Sequence, residues 1–407
     1  MNNPHFRLIH RVLAISFAAM GAHGAAAETK QRELPPQEII DAVVPHEAEP
    51  PVFASVKTPD GATPDPLCGL AAADLNVSRG DKTRTYKILI DPSTGNPPQP
   101  DNVFLRVIRL TVDADGSSRA YHPDDPLGVG ICEPGKSTTC ALDKLSSADI
   151  AVFQGTDEIK PHKTAEDSAE YLTTWAKAWS LIAANLKASL THQTDPRIPA
   201  PYALYYFGAE NLTVVFKTTI IPFKDGAPCM RGAKAGDPGY FVAATSFTKT
   251  KVKPETVCDP TNYLDSSKVP FFVVPGDTFG NVKTGDIAVG VASGNRVVYG
   301  IVGDRGPPFK MAEASIAFNS RLLGRKTPLI NAADQDNIDI ALPTEHISAM
   351  GVLILGGSRA ALKGDFSADN IATVGDRLLK VWSPKRDPKK RLAHCLEAAS
   401  VNPWKDE

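Results

Sequence analysis

The sequence predicts a mainly β, α+β protein: a small sandwich or barrel carrying one long inserted helix. Three observations support this. Runs rich in Val, Ile, Phe and Thr recur between Thr85 and Leu355, separated by clusters of Gly, Pro, Asn and Asp. One segment, 164–190, instead repeats its apolar residues at helical spacing. Six cysteines stand in a chain whose N-terminus reads as an export signal, so disulfides are available to brace a loop-rich fold.

The elements follow in order. Arg7, His10 and Arg11 form a basic start, Val12 to Ala22 is apolar, and Ala25-Ala26-Ala27 offers a small-residue cleavage site. Residues 1–27 are therefore expected to be removed on export, placing the mature chain in the periplasm or outside the cell. A retained anchor is the competing reading. The apolar run falls short of the roughly 20 residues that span a bilayer. Residues 28–66 are rich in Pro, Glu and Ala and read as a flexible or extended leader. The folded domain is expected over 67–407, with a helical insertion at about 130–201.

Within that domain, TYKILI (85–90) and NVFLRVIRLTV (102–112) have strand composition. The second runs into Asp113-Ala114-Asp115-Gly116. In segment 164–190, Thr164 and Asp167 resemble a capping box, with Asp in place of Glu or Gln. Leu172, Trp175, Trp179, Ile182 and Leu186 then share one face. That spacing favours core packing over a sugar-stacking role for the tryptophans. Past Pro201 come LTVVFKTTIIPF, GYFVAATSF, VPFFVVP and IAVGVASGNRVVYGIVGD, with Ser293-Gly294-Asn295 as a hairpin turn. A last strand is expected at Gly351–Leu355. The basic run KRDPKKR reads as solvated surface or a helix end rather than a nucleic-acid contact.

Composition narrows the function classes. The signal holds Arg7 and Arg11 and no acid, so its loss takes the net charge from −2 to −4. That balance leaves no footprint for nucleic acid or a membrane surface. The cysteines Cys68, Cys132, Cys140, Cys229, Cys258 and Cys395 permit many pairings. Cys132–Cys140 and Cys229–Cys258 make plausible local loops, which leaves Cys68–Cys395 to tie the ends. Zinc is disfavoured because no Cys-x-x-Cys pair exists. A Gly-x-Ser-x-Gly elbow, His-Glu-x-x-His and Walker patterns are absent, and the loops GVGICEPG and ILGGSR lack dinucleotide spacing. His122 and His346 stand alone and read as turn or surface residues.

The chemistry concentrates in VVYGIVGDRGPPFKMAEASIAF, residues 297–318. Asp304 ends a β-branched run inside a Gly/Pro turn, and Glu313 follows nine residues later. Two carboxyls so presented suit general acid and base work on a glycosidic bond. The competing readings are a turn aspartate bonded to nearby amides and a glutamate complementing a helix dipole. Asp113-x-Asp115-Gly116 resembles the opening of a calcium loop, but the later EF-hand ligands are absent at the required spacing. A structural turn is preferred there, and no metal or cofactor is expected.

The stretch resembles glycoside hydrolase family 75, the chitosanases, in which a Gly-Asp-x-Gly-Pro turn precedes a Glu-Ala-Ser segment. The resemblance covers roughly residues 85–385 and runs through ordered blocks. These are DADGSSRAYHPDDPLG (113–128), PFKDGAPC (222–229), GYFVAATSF (239–247), NYLDSSKVPFFVVP (262–275) and the stretch itself. It implies an inverting hydrolase of β-1,4-linked glucosamine polymers with Asp304 and Glu313 as the essential carboxylates. Inversion asks for carboxyls about 6.5–9.5 Å apart. Glu313 is favoured weakly as acid and Asp304 as base. A six-stranded, double-psi-like barrel is the expected core, by analogy with other inverting endoglycanases. Asp265, Asp113 and Asp115 are expected to line a cleft for a cationic polysaccharide, and Tyr299 or Tyr240 either to stack on sugar rings or to pack in the core or a strand pair. Arg305 stands where familiar members carry small or polar residues. Its guanidinium should depress the pKa of Asp304 and suits a neutral or anionic sugar, so peptidoglycan is the alternative substrate. A non-catalytic envelope glycan-binding protein on the same scaffold is the alternative from another class. The chain is expected to act as a monomer.

Overall fold

A computed structural model describes residues 52–58, 61–91, 102–107, 110–118, 150–154, 157–158, 202–207, 212–217, 221–224, 227–232, 239–276, 282–292, 296–306, 309, 313–325 and 350–399. The protein is mainly β. In chain order, β1 (Val52–Lys57), β2 (Ala71–Arg79), β3 (Lys82–Ile90), β4 (Asn102–Val107) and β5 (Thr111–Asp113) come first. A separate four-stranded sheet, ordered β7-β6-β9-β8, is built from β6 (Ile150–Gln154), β7 (Asp157–Glu158), β8 (Tyr202–Phe207) and β9 (Leu212–Lys217). Two short ribbons pair β10 (Phe223–Lys224) with β11 (Ala227–Pro228) and β12 (Met230–Arg231) with β13 (Tyr240–Phe241). Then come β14 (Phe271–Pro275), β15 (Ile287–Ala292), β16 (Arg296–Gly306), β17 (Glu313–Ser315) and β18 (Met350–Leu355). Three helices lie among the described residues: α1 (Ile316–Leu322), α2 (Ala368–Trp382) and α3 (Pro388–Ala398).

The main sheet has ten strands in the order β1-β2-β3-β4-β18-β15-β16-β14-β17-β5. Its centre is covered on both faces. Every residue of β14, β15 and β18 is buried, which explains why those strands read as continuous apolar runs rather than alternating ones. Toward the edge, β2 alternates buried and more exposed residues and needs only one covered face.

On one face, α1 presses Phe318 and Leu322 into a cluster with Phe272, Val274, Val298, Val302 and Val352. A Cβ on Gly290 would stand 2.6 Å from the Phe318 ring, so that glycine makes room for the helix. On the other face, α2 and α3 bury Ile371, Leu379 and Leu392 against Val289, Ile301 and Leu353. Ser367 caps α2 and Asp387 caps α3, each accepting from backbone N–H groups of the first turn. The helix α3 is tied back by the Cys68–Cys395 disulfide, which joins residues 327 apart in sequence. A second disulfide, Cys229–Cys258, closes the loop after β11. Cys132 and Cys140 lie outside the described residues.

Three expectations change. The described strands form no closed barrel: the order runs from edge β1 to edge β5 without a ladder between them. The physical reason is the long β2–β3 hairpin, nine residues a side, with β1 added to it. It extends one edge where a six-stranded barrel would close. The sheet curls instead, and Arg84 of β3 reaches to 5.8 Å from the centroid of Phe309, just past β16. Residues 52–57, read from the sequence as leader, are the edge strand β1, paired from Val52↔Arg79 to Lys57↔Asp74. The strands β6 and β7 fall inside the expected insertion 130–201. The helix expected at 164–190 and the turn at 293–295 lie outside the described residues, although β15 and β16 pair antiparallel on either side of that turn.

Candidate active site

The site begins with a break in register. Strands β14 and β16 run parallel, and Phe272 faces Val302, but the next pair is Val273 with Asp304. Gly303 is the extra residue, a bulge of the kind that re-aims a side chain. Only glycine fits there: a Cβ would lie 2.4 Å from Cβ of Phe271 and 2.8 Å from Cδ1 of Leu264. Asp304, next along, is 5% exposed.

Its two carboxylate oxygens differ. Oδ1 accepts from the Ser246 N–H at 2.8 Å, from the Ser246 hydroxyl, and from the Arg305 N–H at 2.7 Å. Oδ2 is buried and has no hydrogen-bond partner among the described residues. Burial pushes the pKa of Asp304 up to about 6, against the Ser246 and Arg305 donors that favour the ionised form, and the Glu313 carboxylate adds to the rise. The expected depression by the Arg305 guanidinium is not what governs Asp304. The exposed Arg305 contributes its backbone N–H, and dehydration outweighs the donors.

Glu313 opens β17 on the other side of β14. Ala314 faces Phe272, and β17 is antiparallel to β14, so Glu313 stands level with Val273. Asp304 and Glu313 therefore flank the same residue of β14. Their Cα atoms are at most about 10 Å apart, two strand spacings, and curl of the sheet shortens this. Ser315 fixes the continuation, accepting from the N–H groups of Phe271 and Phe318 to cap α1.

Asp113 ends β5, which runs parallel to β17 and pairs Asp113 with Ser315. The chain then turns: Asp115 N–H donates to Asp113 Oδ1 at 2.8 Å, and Gly116 takes φ +73°. A Cβ on Gly116 would fall 1.6 Å from the Leu264 carbonyl oxygen, so this turn requires glycine. Ser266 locks the turn to α1, its hydroxyl donating to the Asp113 carbonyl and accepting from Ile316 N–H at 3.0 Å. On a flat sheet β5 would lie about 14 Å from β16. Carboxylate oxygens of Asp113, Asp115 and Asp304 nevertheless all fall within 4.8 Å of one another. The sheet is rolled at this end, and the roll makes the site. Burial raises the pKa of Asp113 well above the usual carboxylate range, with Asp115, Asp304 and Glu313 adding to it.

The structure thus gathers Asp304, Glu313, Asp113 and Asp115. It does not gather Asp265 or Tyr299. Asp265 spends its carboxylate on its own turn, accepting from Ser267 and pairing with Lys268 at 2.8 Å. Only its neighbour Ser266 reaches the site. Tyr299 lies on the face covered by α2, its ring against Gly375 and its hydroxyl donating to Asp376 at 3.0 Å. Tyr299 is packed under α2 instead of standing beside the gathered acids. Tyr240 sits in the β12–β13 ribbon opposite Arg231. His122 and His346 lie outside the described residues.

Sequence reasoning missed Ser246 and Ser266. Both lie inside blocks that carry the resemblance, GYFVAATSF and NYLDSSKVPFFVVP. A lone serine in a strand-rich run carries no pattern of its own, because its partner is set by a fold across 58 residues in one case and 153 in the other. No protein-family model matches the chain, and no curated protein sequence matches it either.

Proposed function

We propose that the chain is an exported inverting glycoside hydrolase that cuts β-1,4-linked glucosamine polymers, with Asp304 and Glu313 as its acid/base pair. The observation that carries the reading is the placement of both carboxyls beside Val273, on the two strands that flank β14. A Cα spacing of at most about 10 Å is compatible with carboxyls about 6.5–9.5 Å apart, the separation that single displacement requires.

The burial of Asp304 supports the opposite assignment of roles to the one weakly favoured from sequence. Asp304 is buried with a raised pKa, and its Oδ1 is filled by donors, so any proton it holds is best placed on Oδ2. That oxygen is suited to protonate the departing glycosidic oxygen. Glu313, partly exposed, is the group that would draw a proton from water. Asp113 and Asp115 bring further acidic groups with which an ammonium sugar can pair. The two disulfides fit folding in an oxidising compartment, and no helix among the described residues is long and apolar enough to cross a membrane.

The exposed Arg305 beside Asp304 supports a second reading with the same machinery, cleavage of peptidoglycan. Mass spectrometry of products from chitosan oligomers, chitin oligomers and peptidoglycan tests both. Cleavage of glucosamine oligomers, abolished by Asp304→Asn and by Glu313→Gln, is the expected result. Cleavage of peptidoglycan alone moves the function to wall remodelling. No cleavage by folded protein leaves a glycan-binding scaffold.

A further inference from the structure

From the sequence, Asp113-x-Asp115-Gly116 resembles only the opening of a calcium loop, without the later ligands. The folded cluster adds Asp304 to it. We infer that Asp113, Asp115 and Asp304 together bind one calcium ion.

Two independent observations carry this. The first is spacing. One carboxylate oxygen from each of the three residues lies within 4.8 Å of the other two. Calcium holds oxygen ligands at about 2.3–2.6 Å, so a single ion can touch oxygens up to about 5 Å apart. The three groups reach a common centre without moving the backbone. The second is the orphaned oxygen. Asp304 is 5% exposed, and its Oδ2 has no hydrogen-bond donor among the described residues, while Oδ1 holds three. A buried carboxylate oxygen without a partner is left with an uncompensated loss of hydration. Packing three carboxylates together adds repulsion. One cation relieves both.

The donor set selects the ion. All three ligands are hard oxygens, and no cysteine or histidine among the described residues joins them, which disfavours zinc and copper. Magnesium takes bonds near about 2.1 Å in a strict octahedron and sheds its water reluctantly, so a looser cluster favours calcium. The framework is braced for the purpose. Ser246 fixes Asp304, Ser266 and the Asp115 N–H fix Asp113, and Gly116 sets the turn between the two strands' ends.

This inference stands apart from the proposed hydrolysis, yet the two meet at one atom. An ion on Oδ2 of Asp304 occupies the oxygen that would protonate the leaving group, so the two uses exclude each other. Calcium would then act as an inhibitor of the proposed reaction.

Isothermal titration of the full chain, stripped with chelator, decides the matter without any substrate. Calcium is expected to bind one per chain with a dissociation constant of about 1 mM or tighter, in the range of extracellular calcium modules. Magnesium is expected to bind at least about tenfold more weakly. Asp115→Asn and Asp113→Asn should each weaken calcium binding about tenfold or more while leaving the far-ultraviolet circular dichroism unchanged. Asp74→Asn, on distant β2, should leave binding as it is. Lack of saturation at about 5 mM calcium, equal affinity for magnesium, or full binding in both site variants would overturn the inference. A chain that binds calcium and cuts no glycan keeps this inference and ends the hydrolase reading. A chain that cuts and binds no calcium does the reverse.

Discussion

Two buried aspartates, one just before β15 and one in its neighbour β16, are treated in opposite ways. Asp286, 1% exposed, sits just before β15. Its Oδ2 accepts from Lys283 N–H at 2.8 Å and its Oδ1 from Arg359 N–H at 3.0 Å. Asp304, 5% exposed, crowds three donors onto Oδ1 and leaves Oδ2 with none. Burial raises the pKa of both. The first carboxylate is a strut that joins the start of β15 to the turn before α2. The second is held at a cost, among other acids, where its free oxygen can meet a ligand. Full satisfaction marks a structural acid, and one-sided satisfaction in a cluster marks a site.

The strongest way to break this contrast is substitution at the two aspartates and at Glu313. Asp304→Asn and Glu313→Gln should each lower the rate on glucosamine oligomers by about 10²–10⁴-fold, read from product formation. Asp286→Asn should leave the rate per folded molecule unchanged. Comparable losses from all three would erase the distinction between strut and site.

The pH dependence of stability sharpens it. Asp304 has a folded pKa of about 6 against 3.8 for the ordinary group. The folded state then binds the proton more tightly. Its contribution is complete below about pH 4 and is lost as pH rises through about 6, to a limit of about 3 kcal/mol. Denaturant titrations in chelator should show wild type losing stability over that window relative to Asp304→Asn. A constant difference from pH 4 to 7 would mean that burial of Asp304 costs nothing.

Asp286→Asn is expected to destabilise by about 1–3 kcal/mol, because an amide cannot accept at both oxygens and one buried N–H loses its partner. Equilibrium unfolding measures this. An unchanged midpoint would show that the two backbone donors are satisfied elsewhere. The smallest effect belongs to Tyr299→Phe, which removes only the hydroxyl bond to Asp376. It should cost about 0.5–1.5 kcal/mol of stability and leave KM unchanged. A raised KM would return Tyr299 to the substrate cleft and overturn its placement under α2.

How much of this was legible in the sequence depends on distance along the chain. The strands from 85 to 112 and from 269 to 304 were visible, because apolar runs bounded by Gly and Pro are local signals. The first hairpin partner, AAADLNVSR at β2, was not, since three alanines and two charges carry little strand propensity until β3 lies beside them. Asp304 and Glu313 stood out by motif. Asp113 and Asp115 could be nominated only as an isolated turn. Tyr299 offered both sugar stacking and core packing, and only the docking of α2 over it decides for packing.

The sequence by itself determined the mainly β composition of the domain and the pair of carboxyls at and just after its Gly/Pro turn. Short-range patterns encode these, since propensity and turn chemistry act over a few residues. Among the fifteen possible pairings of its six cysteines, it also left Cys68–Cys395 and Cys229–Cys258 open, and both are formed. Only the tertiary structure decided that the sheet curls without closing, that Ser246 and Ser266 clamp the acids, and that one oxygen of Asp304 is left bare. Those outcomes depend on which strands become neighbours. A Gly303 bulge and a Gly116 turn that admit no Cβ bring residues nearly 200 apart to within 4.8 Å.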